Sequence, residues 1–281
     1  MPDPVTRLNA ALEGCRVLLV ASLLFLPLGC GGDDDSTGPP LVLQTSELCS
    51  DHSEHDIPTF EDLSLEWEIK IELGIGVQEV LSCHLMSGLT VLNAFSAGIE
   101  SLAGLENLTN LTVLDLGGNS ITDISALTGL TSLSDLRLGG NSISDISALS
   151  GLTSLTVLLL DSNPITDVSV LSGLTNLTSL YLSFNSITDI SALSGLTDLT
   201  RLGLGNNSIT DISALNGLTG LEGLGLSNNS ITDISALSGL TRLWDLELSD
   251  NSITDISVLN GLPGLLHLKL AGNSITDLNG M

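Results

Sequence analysis

Residues 111–130 read LTVLDLGGNSITDISALTGL, and the same pattern returns every 22 residues toward the C-terminus. Asn119 of this stretch is followed by Ile two residues later and by Asp four residues later. The same triplet recurs without insertions at Asn141, Asn163, Asn185, Asn207, Asn229, Asn251 and Asn273. A fixed period of this length predicts a repeat protein, in which each unit buries its apolar side against its neighbours.

The first half of each unit has the alternation of a short β-strand. Leu114 and Leu116 alternate with Val113, Asp115 and Gly117, so both leucines are predicted to point inward and the other three residues outward. Strands of successive units would pair in parallel, roughly 4.8 Å apart. Their outward residues would then line one face of a sheet, where a ligand can bind.

The second half of each unit contains the repeated Asn, Asp and Gly. We expect the Asn119 amide to satisfy backbone groups that a tight turn leaves unpaired. The Asp column, which begins at Asp123, is predicted to cap a short helical turn, with calcium binding between neighbouring carboxylates as the alternative. Gly129 and its equivalents keep this segment short, so 3₁₀ turns are expected.

The repeat NxIxDIxxLxxLxxLxxLxL resembles the leucine-rich repeats of bacterial internalins, over residues 85–281. This resemblance implies an α/β fold: a right-handed leucine-rich-repeat solenoid with a parallel sheet on its concave face and short 3₁₀ turns on its convex face. Residues 83–104 resemble a degenerate first turn, in which Ala97 replaces the Asn. Residues 60–73 resemble the N-terminal helical cap of internalin-type domains. The family also implies a role in binding or adhesion.

The N-terminus has the pattern of an export signal. Arg7 and Arg16 precede an apolar run over residues 17–28, which predicts a signal peptide at residues 1–29. The sequence Leu-Gly-Cys-Gly around Cys30 resembles a bacterial lipobox, which implies that Cys30 carries a lipid. Ordinary cleavage of a secretory signal is the alternative. The expected location is the bacterial cell envelope, at the outer membrane or the cell surface.

The rest of the chain divides by composition into three parts. Residues 30–40 are polar and rich in Gly and Asp, which predicts a flexible tether behind the lipidated Cys. An N-terminal helical cap region is expected at 41–82 and repeats at 83–281, with no C-terminal cap. The stop at Met281 is interpreted as a fragment or as an end that another copy or partner covers.

Cys49 and Cys83 are the two cysteines of the predicted exported head. An oxidising compartment favours a disulfide between them, and two separate buried thiols are the alternative. A zinc site would need further ligands from His52, His55 and His84, whose spacing matches no zinc motif. No metal or other cofactor is therefore expected.

Charge and motifs exclude several classes of function. Acidic residues outnumber basic ones by 33 to 7, which excludes nucleic acid as a partner and leaves a lipid anchor as the only expected link to a membrane. The sequence has no nucleophile elbow and no phosphate-binding glycine loop. We therefore expect a protein that is not an enzyme.

Outward strand positions predict two contact clusters. The first combines apolar and aromatic side chains with flanking cations: Arg137, Val157, Leu159, Tyr181, Phe184 and Arg201. The second lies near the C-terminal end: Trp244, Glu247, His267 and Lys269. Aromatic and arginine side chains dominate binding hot spots, so the first cluster is the preferred contact. The alternatives are isolated surface residues in the first cluster and a Trp244 that lies under a cap in the second.

These features predict a lipid-anchored surface protein that binds a protein or a glycan through the concave face of a solenoid. The alternative is a structural envelope protein that self-associates through the solenoid ends.

Overall fold

A computed structural model describes residues 40–44 and 47–276 of the 281-residue chain. The predicted signal peptide, the lipidation of Cys30 and nearly all of the 30–40 tether lie outside the described residues. Asp277, the last member of the Asp column, lies outside them as well.

Nine short strands form one parallel sheet, in which spatial order equals chain order. Residues 22 apart are paired directly, as Leu114 is with Leu136. The strands are Val91–Asn93 (β1), Val113–Asp115 (β2), Asp135–Arg137 (β3), Val157–Leu159 (β4), Ser179–Tyr181 (β5), Arg201–Gly203 (β6), Gly223–Gly225 (β7), Asp245–Glu247 (β8) and His267–Lys269 (β9). This arrangement confirms the leucine-rich-repeat solenoid, with the sheet on its concave face.

Short 3₁₀ turns connect the strands on the convex face, as predicted. They span Leu105–Asn107, Ser125–Leu127, Ser147–Gly151, Ser169–Gly173, Ser191–Gly195, Ser213–Leu215, Ser235–Gly239 and Ser257–Gly261. Each unit therefore has the same two layers, a strand and a 3₁₀ turn, with its leucines and isoleucines between them.

The core consists of stacked columns of leucine and isoleucine. Leu114 and Leu116 are completely buried, while Val113 and Asp115 beside them are half-buried on the concave face. Gly117 also faces this side, but the ring of Phe95 covers it, since a Cβ at Gly117 would lie 3.1 Å from Phe95 Cδ2. The concave face at β2 is therefore closed by an aromatic ring from the preceding unit.

The repeated asparagines satisfy backbone groups near the turns, as predicted, and they also join successive units. Nδ2 of Asn163 donates to the carbonyls of Leu138 and Leu160, both at 3.1 Å. Its Oδ1 accepts a hydrogen bond from the backbone N–H of Ile143 at 3.0 Å. Each Asn thus satisfies backbone groups of its own unit and of the preceding one, and the column is structural.

Two helices cover the N-terminal end of the core. Helix α1 spans Leu63–Glu72 and begins at Asp62, whose carboxylate accepts hydrogen bonds from the backbone N–H groups of the first turn. Leu65 and Ile69 of α1 are completely buried in the same core as the repeats. Helix α2 spans Cys83–Ser87. Residues 60–73, which resemble an internalin-type cap, therefore contain helix α1.

Cys49 and Cys83 lie within bonding distance, with their sulfur atoms 2.04 Å apart. Cys49 begins a 3₁₀ turn at Cys49–Asp51, and Cys83 begins α2. The bond therefore links the segment that precedes α1 to the start of the first repeat.

The last described unit is more open than the units before it. Leu268 and Leu270 of this unit are partly exposed, whereas the equivalent Leu246 and Leu248 are completely buried. Leu266 is 79% exposed. Apolar side chains of the β9 unit therefore pack against the core on one side and face solvent on the other.

Candidate functional site

Two rows of side chains project from the concave face, because the leucine between them in each strand points into the core. The first row runs through Val113, Asp135, Val157, Ser179, Arg201, Gly223, Asp245 and His267. The second row runs through Asp115, Arg137, Leu159, Tyr181, Gly203, Gly225, Glu247 and Lys269. The residues in these rows do not form the leucine core, so they can differ between units and determine which ligand binds.

The structure brings three residues of the first predicted cluster together on β4 and β5. Leu159 pairs directly with Tyr181, and Val157 lies two residues from Leu159 on the same strand. All three side chains are half-buried. Phe184 lies at the rim of this patch, in the turn after β5, where it is 60% exposed and its φ is +57°.

Arg137 borders the apolar patch, but neighbouring carboxylates occupy its guanidinium. Its Nε and Nη2 atoms donate to the two carboxylate oxygens of Asp135 at 3.0 and 2.9 Å. Asp115 Oδ2 lies 4.0 Å from Nη1. The hydrogen bond and the charge of Asp135 raise the pKa of Arg137 above its ordinary value. Two of the five N–H donors of Arg137 are therefore already used within the protein.

Arg201 joins the two predicted clusters. Its guanidinium carbon lies 5.8 Å from the centroid of the Trp244 ring, a cation–π distance. Trp244 in turn meets the ring of His267 edge-on, with centroids 5.8 Å apart. Gly223 lies between Arg201 and Asp245 in the first row, and a Cβ there would lie 3.8 Å from Arg201 Nη1, an ordinary van der Waals contact.

The remaining residues of the second cluster form an ion pair at its C-terminal side. Lys269 Nζ donates to Glu247 Oε1 across β8 and β9. This hydrogen bond raises the pKa of Lys269. His267 is exposed beside Trp244. All four residues of the second cluster therefore lie on one side of Arg201, and the two predicted clusters form one continuous surface.

Two residues of this face were not among the contact residues predicted from the sequence. The second position after each strand is Gly, Ser or Ala in most units, but it is Phe95 after β1 and Asp161 after β4. Phe95 is 63% exposed. The Asp161 carboxylate accepts a hydrogen bond from the N–H of Ser183 at 2.8 Å, and partial burial raises its pKa. Both departures from the repeat were visible in the sequence.

The Asp column lies on the other side of the solenoid and caps the 3₁₀ turns, as predicted. Each carboxylate accepts a hydrogen bond of 2.8 Å from the backbone N–H two residues later, as Asp189 does from Ser191. The same bond is present at Asp123, Asp145, Asp167, Asp211, Asp233 and Asp255. Within residues 40–44 and 47–276, no group of three His, Cys, Asp or Glu side chains is arranged to hold a metal ion. In the same ranges, no helix has both the length and the apolar character of a membrane span.

Two family models of leucine-rich repeats match the chain. The model for two copies of the repeat matches residues 87–129 and 175–217. A second model, described as a leucine rich repeat, matches residues 109–165 and 200–253. No curated protein sequence matches.

Several solved structures are similar to this chain in both sequence and fold. Internalin C2 of Listeria monocytogenes is 40% identical, with a TM-score of 0.73 over 75% of this chain and 94% of the internalin. Internalin F of the same organism is 34% identical, with a TM-score of 0.52 over 78% of each chain. The ectodomain of the Arabidopsis thaliana receptor kinase GASSHO1/SCHENGEN3, solved in complex with Casparian strip integrity factor 2, is 27% identical, with a TM-score of 0.59 over 63% of this chain and 23% of that one. The chain therefore belongs to the leucine-rich-repeat proteins, and among them to the internalin-like type.

Proposed function

We propose that this protein is a surface binding protein, which recognises a protein or a glycan through the concave face of its solenoid. The observation that carries this proposal is the continuous surface from Leu159 and Tyr181 through Arg201 to Trp244. Large aromatic side chains and arginine account for most of the binding energy at interfaces. A solenoid presents such residues on a rigid, extended face, and one receptor ectodomain of similar fold was solved with a bound partner.

A role in binding fits the electrostatics better than a role in catalysis. Acid–base chemistry needs two titratable groups in contrasting environments. The carboxylates of the Asp column instead share one environment, and in six of them a backbone N–H lowers the pKa. They form a structural series, and we propose no enzymatic activity for this chain.

The overall charge also limits the kind of partner. The chain has 33 acidic and 7 basic residues, a formal net charge of −26. Long-range repulsion therefore disfavours nucleic acids and other polyanions, whereas basic surfaces are attracted and neutral surfaces are not repelled. The proposed partner is accordingly a neutral or basic protein, or a glycan with few negative charges.

The binding test compares the full-length protein with a Tyr181→Ala/Arg201→Ala double variant on panels of whole cells, proteins and glycans. We expect the double variant to lose at least about tenfold in affinity, since hot-spot residues contribute on this scale. The matched control is Ser194→Ala/Ser238→Ala, which changes two exposed residues of the convex 3₁₀ turns. Equal binding by the concave variant and wild type would show that this surface is not the binding site.

We further propose that a lipid on Cys30 anchors the head to the cell envelope, at the outer membrane or the cell surface. The support is the apolar run over residues 17–28 followed by Leu-Gly-Cys-Gly. The eleven residues from Cys30 to Pro40 reach at most roughly 35 Å when extended. Such a tether would hold the head close to the membrane while leaving its concave face free.

The anchor is tested by expressing the wild type and Cys30→Ser in a bacterium, then measuring intact mass and detergent partitioning. A diacylated wild type that enters the detergent phase, beside a variant that does not, supports the anchor. If both proteins stay in the aqueous phase and are cleaved at another site, the head is secreted without a lipid.

A further inference from the structure

Helix α1 is apolar on two opposite sides. Leu65 and Ile69 are completely buried against the repeats, whereas Leu63, Trp67 and Ile71 are between 44% and 60% exposed. Successive residues of an α-helix lie about 100° apart, so the three exposed residues form one stripe centred about 180° from the buried pair. Helix α1 therefore packs on the core with one side and presents an apolar stripe to solvent with the other.

Exposed apolar residues are concentrated at the N-terminal end of the described chain. Of the thirteen large apolar residues that are exposed in the described ranges, nine lie between residues 41 and 85, among them Leu41, Val42 and Val80. The terminal unit of a repeat protein ordinarily presents a polar outer face, because it shields the core from water. An apolar outer face at this end therefore indicates a contact with another molecule or with a membrane.

Hydrogen bonds fix the first described residues beside the start of α1. The N–H of Leu43 donates to the carbonyl of Ile57 at 2.8 Å, and Oγ1 of Thr59 donates to the carbonyl of Leu43 at 2.8 Å. Thr59 precedes Leu63, the first residue of α1, by four residues, which span at most about 14 Å. The chain therefore enters the folded head at the same end as the apolar stripe.

The tether limits how far this end of the head can lie from a bilayer. The eleven residues from Cys30 to Pro40 reach at most roughly 35 Å, and a flexible chain of this length has an average end-to-end distance of about 18 Å. Helix α1 is itself about 15 Å long. With a lipid on Cys30, the bilayer is therefore held within reach of the stripe, whereas a second protein would reach it only by diffusion.

The side chains of the stripe suit the interfacial region of a bilayer. Trp is enriched at this depth because its ring is apolar and its N–H keeps a polar partner, and the Leu and Ile beside Trp67 supply further apolar area. The Glu66–Lys70 ion pair borders the stripe, with Nζ and Oε1 2.8 Å apart. Glu68 and Glu72 lie on the same helix, so a zwitterionic bilayer is favoured over an anionic one.

We propose that the stripe of Leu63, Trp67 and Ile71 docks on the bilayer that holds the lipid anchor. The proposal rests on the proposed lipidation of Cys30 and adds a second contact to the anchor, which the sequence predicts as the only link to a membrane. Interfacial contacts of this kind bury apolar side chains about 5–10 Å into the boundary between headgroups and acyl chains. Docking would thus hold the N-terminal end of the solenoid against the lipid.

The test places the full-length protein in phosphatidylcholine vesicles that contain brominated phosphatidylcholine, which quenches the fluorescence of indoles in contact with the acyl chains. The chain has two tryptophans, so Trp244→Phe leaves only Trp67 to report. We expect brominated lipid to lower its emission at least about twofold, because interfacial side chains reach the acyl boundary. In Trp67→Phe, the remaining Trp244 on the concave face should keep its emission.

The variant Leu63→Ser/Ile71→Ser, made in the Trp244→Phe background, should reduce the quenching of Trp67 severalfold, because it removes apolar area that would enter the lipid. The matched control is Leu266→Ser in the same background, which changes an exposed leucine of the β9 unit and should leave the quenching unchanged. Thermal unfolding of each variant should match the wild type, since all three leucine and isoleucine positions are exposed, and it separates loss of docking from loss of fold.

Intact mass and flotation with vesicles report on the anchor separately. A diacylated protein that floats while Trp67 remains unquenched would show that the anchor stands and the docking is wrong. A protein without lipid whose Trp67 is quenched at millimolar lipid would show that the stripe docks and the anchor is wrong. Equal quenching in Leu63→Ser/Ile71→Ser would overturn the inference. A shift from dimer to monomer in that variant, without quenching of Trp67 in its parent, would assign the stripe to a second copy instead.

Discussion

At the scale of single residues, the repeated asparagines stabilise the backbone of this fold through side-chain hydrogen bonds. Asn163 is buried and makes four hydrogen bonds to the main chain of two units. Asn163→Ala would leave buried donors and acceptors unpaired, so we expect it to lower the free energy of unfolding by roughly 2–3 kcal/mol. Urea denaturation measures this change, with exposed Asn216→Ala in a convex segment as the control. Equal stability of both variants would contradict the structural role of the column.

Phe184 is a residue whose backbone conformation does not suit its side chain. Its φ of +57° lies in the left-handed region, which is unfavourable for a bulky residue, and its ring is 60% exposed. Strain of this kind at an exposed aromatic points to a functional contact. Phe184→Gly should therefore raise the free energy of unfolding by about 1 kcal/mol. It should also weaken ligand binding.

The control for Phe184 is Asn206→Gly, which changes the equivalent position of the next unit at φ +55°. Asn tolerates the left-handed region, so this variant should gain at most a few tenths of a kcal/mol. A Phe184→Gly variant that is less stable than the wild type would show that packing of the ring outweighs the backbone strain.

At the scale of elements, the caps of the 3₁₀ turns make stability depend on pH. The N–H of Ser191 lowers the pKa of Asp189 below its ordinary value, and the pKa values of five other caps are lowered in the same way. A carboxyl whose pKa is lower in the folded state stabilises the fold above its unfolded pKa, and this contribution is lost as the pH falls through the folded value. Stability should therefore decrease below about pH 4.

Urea denaturation at neutral pH and near pH 3 checks this prediction in the wild type and in Asp189→Asn. The variant keeps an acceptor at the cap but cannot titrate, so its stability should fall less in acid. Asp161 is a control of opposite sign, because burial raises its pKa and protonation in acid favours the fold. Asp161→Asn should accordingly be more stable than the wild type at neutral pH, and this advantage should shrink in acid.

At the scale of the whole molecule, self-repulsion of the acidic chain opposes folding. The formal net charge is −26, and stacking aligns like charges, so Asp167 is repelled by Asp189 and Asp145 in neighbouring units. Raising the ionic strength from about 0.01 M to about 0.15 M shortens the screening length from about 30 to about 8 Å. We therefore expect NaCl to raise the melting temperature of the wild type.

Scanning calorimetry at the two salt concentrations measures this effect. The variant Asp167→Asn/Asp189→Asn removes two adjacent charges of the column and should respond less to salt. A melting temperature that falls with NaCl would show that attraction in ion pairs outweighs repulsion. A larger rise in CaCl₂ than in NaCl at equal ionic strength would show that calcium binds the column, the alternative that the sequence leaves open.

The sequence by itself determined the solenoid, its register, the 3₁₀ turns and the roles of the Asn and Asp columns. The physical reason is that stacking identical units gives each framework residue two kinds of neighbour: its own unit and the residues 22 positions away. The 22-residue period identifies both kinds of neighbour. A hydrogen bond such as that from Ile143 N–H to Asn163 Oδ1 follows from this arrangement once the repeat is known.

Only the tertiary structure decided how the concave face is organised, because the repeat predicts which side chains point outward but not which neighbours they contact. Arg201 packs on Trp244, 43 residues later, across Gly223 of the intervening strand. Arg137 is drawn instead to Asp135 and Asp115. Two clusters that are separate in the sequence therefore form one surface.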